Sequence, residues 1–232
     1  MTAPTNDSLR KPDLLPSAVT DLLREEIVSG ALAAREHLVE TALAERLDIS
    51  RGPVREALKR LVEEGLVVEQ PRRGAHVVEL TARDVREIYD FRAAIESRAV
   101  RLVVAAAPNP TVVGQLESLV REFEAAADRG DARAARELDL AFHGFIYELA
   151  GNSRLVSAFR RLVPSLRLVN RSRYELFHSL SEAPQEHWPI INAIRLGDMA
   201  QAELEIDRHL ELAKQQLIAH IGEAKEVANE AS

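Results

Sequence analysis

The sequence predicts a mainly α protein, with an N-terminal winged helix-turn-helix followed by an all-α helical bundle. Three observations predict it. The chain has 232 residues, more than the roughly 100–150 of a usual single domain. Its first third holds a tight turn that feeds an arginine-bearing helix, followed by a short basic hairpin. From Thr81 onward, apolar residues recur with the period of long amphipathic helices, with no convincing strand. The expected boundaries are a tail over 1–16, the winged helix over 17–80, the bundle over 81–222 and a second tail over 223–232.

Ser17 to Ser29 reads as the first helix, with Val19, Leu22, Leu23, Ile27 and Val28 as its apolar set. Glu40 to Leu47 reads as the second, with Leu43 and Leu47 inward. The third opens at Ser50-Arg51-Gly52-Pro53-Val54-Arg55. Ser50 suits an N-cap, Pro53 suits a first turn that needs no N–H, and Val54, Leu58 and Leu61 share one face. Arg51 and Arg55 are left outward, one turn apart. A guanidinium is a planar donor fork that matches the two acceptors on a guanine edge, so this pair is suited to reading DNA.

Gly65 ends that helix, and Leu66-Val67-Val68 and Ala75-His76-Val77-Val78 flank Pro71-Arg72-Arg73-Gly74, a hairpin with a basic tip. Such a tip lies along the phosphate backbone or enters the minor groove. The candidate DNA contacts are therefore Arg51, Arg55, Ser50, Lys59, Arg72, Arg73 and Gly74.

Charge sharpens this expectation. Residues 1–80 hold 11 Lys+Arg against 14 Asp+Glu, a net of −3, whereas within 51–60 Arg51, Arg55, Lys59 and Arg60 face only Glu56, a local net of +3. Affinity for nucleic acid must come from a placed patch rather than a diffuse field. The lack of cysteine removes disulfides and thiolate metal sites. The first residues carry no apolar signal core, and no stretch approaches the roughly 20 residues that cross a bilayer. A cytoplasmic protein without membrane association is expected.

In the second part, Thr81 and Asp84 form a capping pattern, and helices are expected at about 84–106, 112–128, 131–149, 154–173, 182–196 and 198–221. Pro164 should kink or break the fourth of these. Pro189 crowds the carbonyl of Gln185 and should make the fifth start late or bend. Asp139 and His143 lie on or beside the apolar stripe of Leu138, Phe142, Phe145, Ile146 and Leu149, four residues apart and pointing the same way. His209 falls among Ile206, Leu210, Ala213 and Leu217, and His187 precedes Ile191 and Ile194. A single histidine in such a place is more often a hydrogen-bonded core residue. Four polar groups on apolar faces need a common partner, and a divalent cation is an economical one. Three imidazoles and a carboxylate suit Zn, Ni, Mn or Fe(II). His178 is the substitute if the bend swings His187 away; His37, His76 and His220 are assigned no role.

The string LAERLDISRGPVREALKRLVEEGLV followed by PRRGAHV resembles the DNA-binding domain of the GntR superfamily of bacterial transcription regulators, although Ala33-Ala34-Arg35 stands where that family usually has Pro-Gly. The strings YDFRAAIESRAVRLVVAA, LDLAFHGFIYELAGNSRL and EHWPIINAIRLGDMAQAELEIDRHL resemble the FCD ligand-binding domain of its FadR-like branch. The resemblance implies a metal held by Asp139, His143, His187 and His209, with a small organic acid bound at or near it. It also implies that Arg92 faces the pocket, the other role for Arg92 being an ion pair with Glu96. Arg167, Arg171 and Arg173 are weaker candidates.

The function expected is therefore that of a homodimeric transcription regulator, not an enzyme. It would bind a double-stranded operator, with its affinity controlled by a small carboxylate effector. The alternatives are a regulator in which the cation itself is the signal, and a metalloenzyme, for which no general base stands at a suitable position.

Overall fold

The computed structural model describes residues 16–107, 109–174 and 182–230. The chain divides into two compact units, one ending at Glu79 and the other beginning at Leu80.

The first unit contains α1 (Pro16–Ser29), β1 (His37–Leu38), α2 (Glu40–Leu47), α3 (Arg51–Glu63), β2 (Val67–Gln70) and β3 (Gly74–Val77). Val19, Leu23 and Ile27 are buried on α1 at intervals of four; α1 packs on α3, where Val54, Leu58 and Leu61 are buried as well. Leu22 was expected inward but is 39% exposed, because it lies on the flank of that stripe. Leu47 is only half-buried. Ser50 occupies the N-cap position of α3 with extended backbone, but its side chain makes no capping hydrogen bond.

The hairpin of β2 and β3 is antiparallel, pairing Val67 with Val77 and Gln70 with Gly74. Its turn is closed by the Arg73 N–H donating to the Gln70 carbonyl at 3.0 Å. Pro71 presets the first central position, and Arg72 takes the second at φ 65°, a conformation usually left to glycine or asparagine. The two-residue strand β1 joins the outer edge of β3, giving the order β1-β3-β2. It was not expected, since two residues carry no readable period.

The second unit contains α4 (Ala82–Ala105), α5 (Pro110–Asp128), α6 (Ala132–Leu149), α7 (Ser153–Tyr174), α8 (Glu182–Gln185), α9 (Trp188–Leu196) and α10 (Met199–Glu230). Thr81 and Asp84 form the expected capping box: the Asp84 N–H donates to Thr81 Oγ1 at 3.2 Å and the Thr81 N–H to Asp84 Oδ2 at 2.8 Å. Asn109 caps α5 and Asp131 caps α6 in the same way. α4 packs on α10, α6 and α7, and α5 packs on α6 and α9. Val100, Leu116, Phe142, Ile146, Ile190 and Ile206 are fully buried in the core between them.

Three boundaries differ from expectation. α7 is continuous through Pro164, so the break does not occur and one ladder donor is simply missing. The helix expected over 182–196 is split into α8 and α9. Pro189 falls at the second position of α9, where its absent N–H costs nothing, and a continuous helix would have driven its ring into the Gln185 carbonyl. α10 extends to Glu230, past the limit of 222. His178 and the side chain of Arg173 lie outside the described residues.

Candidate DNA-reading face and candidate metal centre

In the first unit, Arg51 and Arg55 project from the start of α3 with side chains 57% and 52% exposed. Both converge on Glu40, the first residue of α2. Arg55 donates through Nε at 3.0 Å and Nη2 at 2.9 Å, and Arg51 through Nη2 at 3.3 Å. The hydrogen bond from Arg55 lowers the Glu40 carboxyl from its ordinary range, against a smaller opposing effect of burial. Exposed ion pairs of this kind are worth only about 0–1 kcal/mol, so Glu40 orients the two guanidinium groups without locking them. Lys59 pairs with Glu56 at 3.4 Å one turn further on.

Arg72 and Arg73 are exposed at the hairpin tip. Behind them, His37 of β1 and His76 of β3 stack at 4.7 Å with their planes 13° apart. Gly74 sits beneath at φ 82°, where a Cβ would come within 2.8 Å of His37 Nε2. His37 and His76 thus brace the hairpin.

In the second unit, Asp139, His143, His187 and His209 are all buried, and each offers one ligand atom within 4.8 Å of those of the others. Asp139 and His143 come one turn apart from α6 and His209 comes from α10. His187 stands at the N-cap of α9, at the α8–α9 break, with Pro189 in the first turn of that helix. His209 Nε2 lies 3.2 Å from His143 Nε2, and His187 Nε2 lies 3.4 Å from Asp139 Oδ1. Phe142 and Phe123 wall the group edge-on against the His187 ring, at 4.7 Å and 5.5 Å between centroids. Such an enclosed set of nitrogen and oxygen donors could hold a divalent ion.

Around the four lies a layer of partners, most of which the sequence reading missed. Asn170 of α7 donates through Nδ2 to Asp139 Oδ2 at 2.9 Å. His187 Nδ1 lies 3.2 Å from the Ala183 carbonyl, and His209 Nδ1 lies 3.2 Å from Glu186 Oε2. Glu96 of α4 contacts His143 Nδ1 through Oε1, while its Oε2 accepts from Arg92 Nε at 3.0 Å and from the Tyr147 hydroxyl at 3.4 Å.

Burial alone would push the Glu96 carboxyl up, but the charges and hydrogen bonds of His143 and Arg92 outweigh it and hold Glu96 at about 2. Burial, together with the Arg92 charge, pushes His143 below the usual imidazole range. Arg92 is 2% exposed, and its Nη2 has no hydrogen-bond partner among the described residues. A readable signal for this layer existed. Arg92 and Glu96 stand on the stripe of Tyr89, Ala99, Val100 and Val103, and Asn170 stands beside Leu166 and Val169.

A winged helix with two outward arginines, followed in the same chain by a helical bundle around a ligand-type cluster, defines a DNA-binding regulator. Residues 15–77 match the model of the bacterial regulatory proteins of the gntR family, and residues 87–212 match that of the FCD domain. The chain belongs to the gntR family of bacterial regulatory proteins and carries an FCD domain.

It is similar to YdhC, an HTH-type transcriptional regulator of Bacillus subtilis (strain 168), at 29% identity over 200 residues, covering 85% of this chain and 84% of YdhC. The gluconate operon transcriptional repressor of the same organism is 30% identical over 186 residues, covering 77% of this chain and 74% of its own. Among solved structures, a GntR transcriptional regulator from Rhodococcus sp. RHA1 superposes with a TM-score of 0.73 at 24% identity, over 88% of this chain and 97% of its own. At that identity the superposition speaks for the fold alone. The chain is a DNA-binding transcription regulator and not an enzyme. No helix among the described residues is long and apolar enough to cross a membrane.

Proposed function

We propose that the protein is a cytoplasmic homodimer whose operator affinity is set by a small organic acid, bound at or near a divalent cation held by Asp139, His143, His187 and His209. The observation that carries this reading is the pair of Nε2 atoms of His143 and His209 at 3.2 Å. With Nδ1 acting as donor in each ring, these are two lone pairs aimed at one another, and a shared cation turns that repulsion into coordination. Zn, Ni, Mn and Fe(II) all accept three imidazoles and a carboxylate, and four protein ligands leave positions on an octahedral ion for a carboxylate oxygen.

Arg92 supports an acid as the effector. A buried donor without a partner costs about 1–3 kcal/mol, and an incoming carboxylate would satisfy Nη2 with a charge-assisted bond. The relative named for a gluconate operon agrees with an acid of this class.

On the DNA side, Arg51 and Arg55 read base edges, while Ser50, Lys59, Arg72, Arg73 and Gly74 contact the backbone or the minor groove. Residues 17–80 are the reading domain and 81–222 the sensory domain. Two half-sites must be met at once, so an effector that favours one spacing of the paired domains changes affinity without touching a base contact. A thermal-shift screen of small carboxylic acids on zinc-loaded protein tests the reading. An acid that binds the folded bundle raises its melting temperature only when the metal is present. A screen in which every acid leaves the melt unmoved counts against it.

A further inference from the structure

We infer that Glu96 and Glu186 are positioning residues for the buried cation, each turning one histidine so that Nε2 rather than Nδ1 faces Asp139. The inference deepens the metal reading above and rests on it. A neutral imidazole has one donor nitrogen and one acceptor nitrogen, and only the acceptor can ligate a cation. A carboxylate accepts and cannot donate, so the nitrogen it touches must be the one that carries the proton. Glu96 Oε1 touches His143 Nδ1, and Glu186 Oε2 stands 3.2 Å from His209 Nδ1. The backbone carbonyl of Ala183 does the same for His187 at 3.2 Å. Three rings on three different elements are thus turned the same way round: Nδ1 meets an acceptor, while His143 and His209 bring their Nε2 atoms to 3.2 Å and His187 Nε2 lies 3.4 Å from Asp139 Oδ1.

The two carboxylates have separate origins. Glu96 arrives from the middle of α4, whereas Glu186 stands beside His187 in the turn between α8 and α9. The break imposed by Pro189 therefore delivers both a ligand and the partner of a different ligand. Charge agrees as well. Asp139, Glu96 and Glu186 bring three negative charges to the enclosure and Arg92 brings one positive charge, leaving a deficit that a divalent cation cancels. A core histidine that served packing alone would need one acceptor, not a matched set converging on one point.

The test is the zinc affinity of the full chain, read by competition with a chromophoric chelator, for the wild type, E96Q and E186Q. The melting temperature of each metal-stripped protein is measured alongside. Losing the partner of a ligating histidine weakens metal binding by about 10–100-fold, and that loss is the expected result for each variant, with the metal-stripped melt of E186Q unchanged. Glu186 lies in a turn and is partly exposed, so E186Q decides the matter even if E96Q fails to fold. Tight zinc binding by the wild type with equal affinity in the variants overturns the positioning role and leaves the metal reading standing. A wild type that binds no zinc overturns both.

Discussion

His143 Nε2 and His209 Nε2, from α6 and α10, face each other across 3.2 Å in a chamber from which solvent is excluded. With Nδ1 carrying the proton in both rings, that approach gains nothing unless something positive lies between them. Removing one should therefore remove the reason for the other. H143A is expected to lose bound metal and effector response while operator-independent properties of the first unit, including its own unfolding transition, persist. Metal content per chain, by emission spectrometry, checks this, and an unchanged content would show that the four residues are not the ligand set.

Arg51 and Arg55 stand on one exposed helix face and share Glu40. Replacing either with alanine is expected to weaken specific operator binding by about 1–3 kcal/mol, the worth of one bidentate base contact. Binding to unrelated duplex should change much less. Fluorescence anisotropy on specific and scrambled duplexes separates the two effects, and equal losses on both would reassign the arginines to the phosphate backbone.

Gly74 is held at φ 82° against the His37 ring. Alanine there has to adopt a left-handed backbone and displace that ring, which should destabilise the first unit by about 1–3 kcal/mol. Chemical denaturation followed in that unit measures it. The double variant H37A/G74A should recover the steric part of the loss but not the backbone part.

The capping box of Thr81 and Asp84 closes the start of α4, the helix that carries Arg92 and Glu96. T81A should cost about 0.5–2 kcal/mol of stability in the second unit. A thermal melt of metal-free protein with no shift would mean that the cap is redundant.

Glu117 joins α5 to α9, and the hydrogen bond from Arg195 lowers its carboxyl below the ordinary glutamate range. A depressed folded value means stability that is present above pH 4.5 and is lost as pH falls toward the folded value. E117Q should therefore flatten the acid limb of the stability curve and leave the neutral region nearly unchanged. Equal steepness in both proteins would remove Glu117 from the account.

Much of this architecture was legible because apolar period and capping chemistry are local. The third helix and the bounds of α2 and α6 follow from residues within a turn of one another. Leu22 was misplaced because Leu22 and Leu23 are adjacent and period alone does not choose which one the core takes. β1 was invisible because its pairing partner lies near residue 76, far along the chain.

The convergence of Asp139, His143, His187 and His209 was anticipated from polar residues on apolar stripes together with a family resemblance. Their outer partners were not. Glu96, Asn170 and Glu186 meet the cluster only through tertiary packing, and a lone polar residue on a stripe does not announce what it touches. Pro189 put His187 in doubt as a ligand, whereas the structure keeps His187 buried with the other three, at the N-cap of α9.

Control of DNA binding by an acid acting through the buried cation is read from operator affinity. Anisotropy would be measured on a duplex recovered by in vitro selection, with metal-stripped protein, zinc-loaded protein, and zinc-loaded protein plus the acid that most raises the melting temperature. Affinity should change markedly only in the third condition, and H143A should abolish the change. Affinity that is the same in all three conditions, or that responds fully to zinc alone, would contradict it.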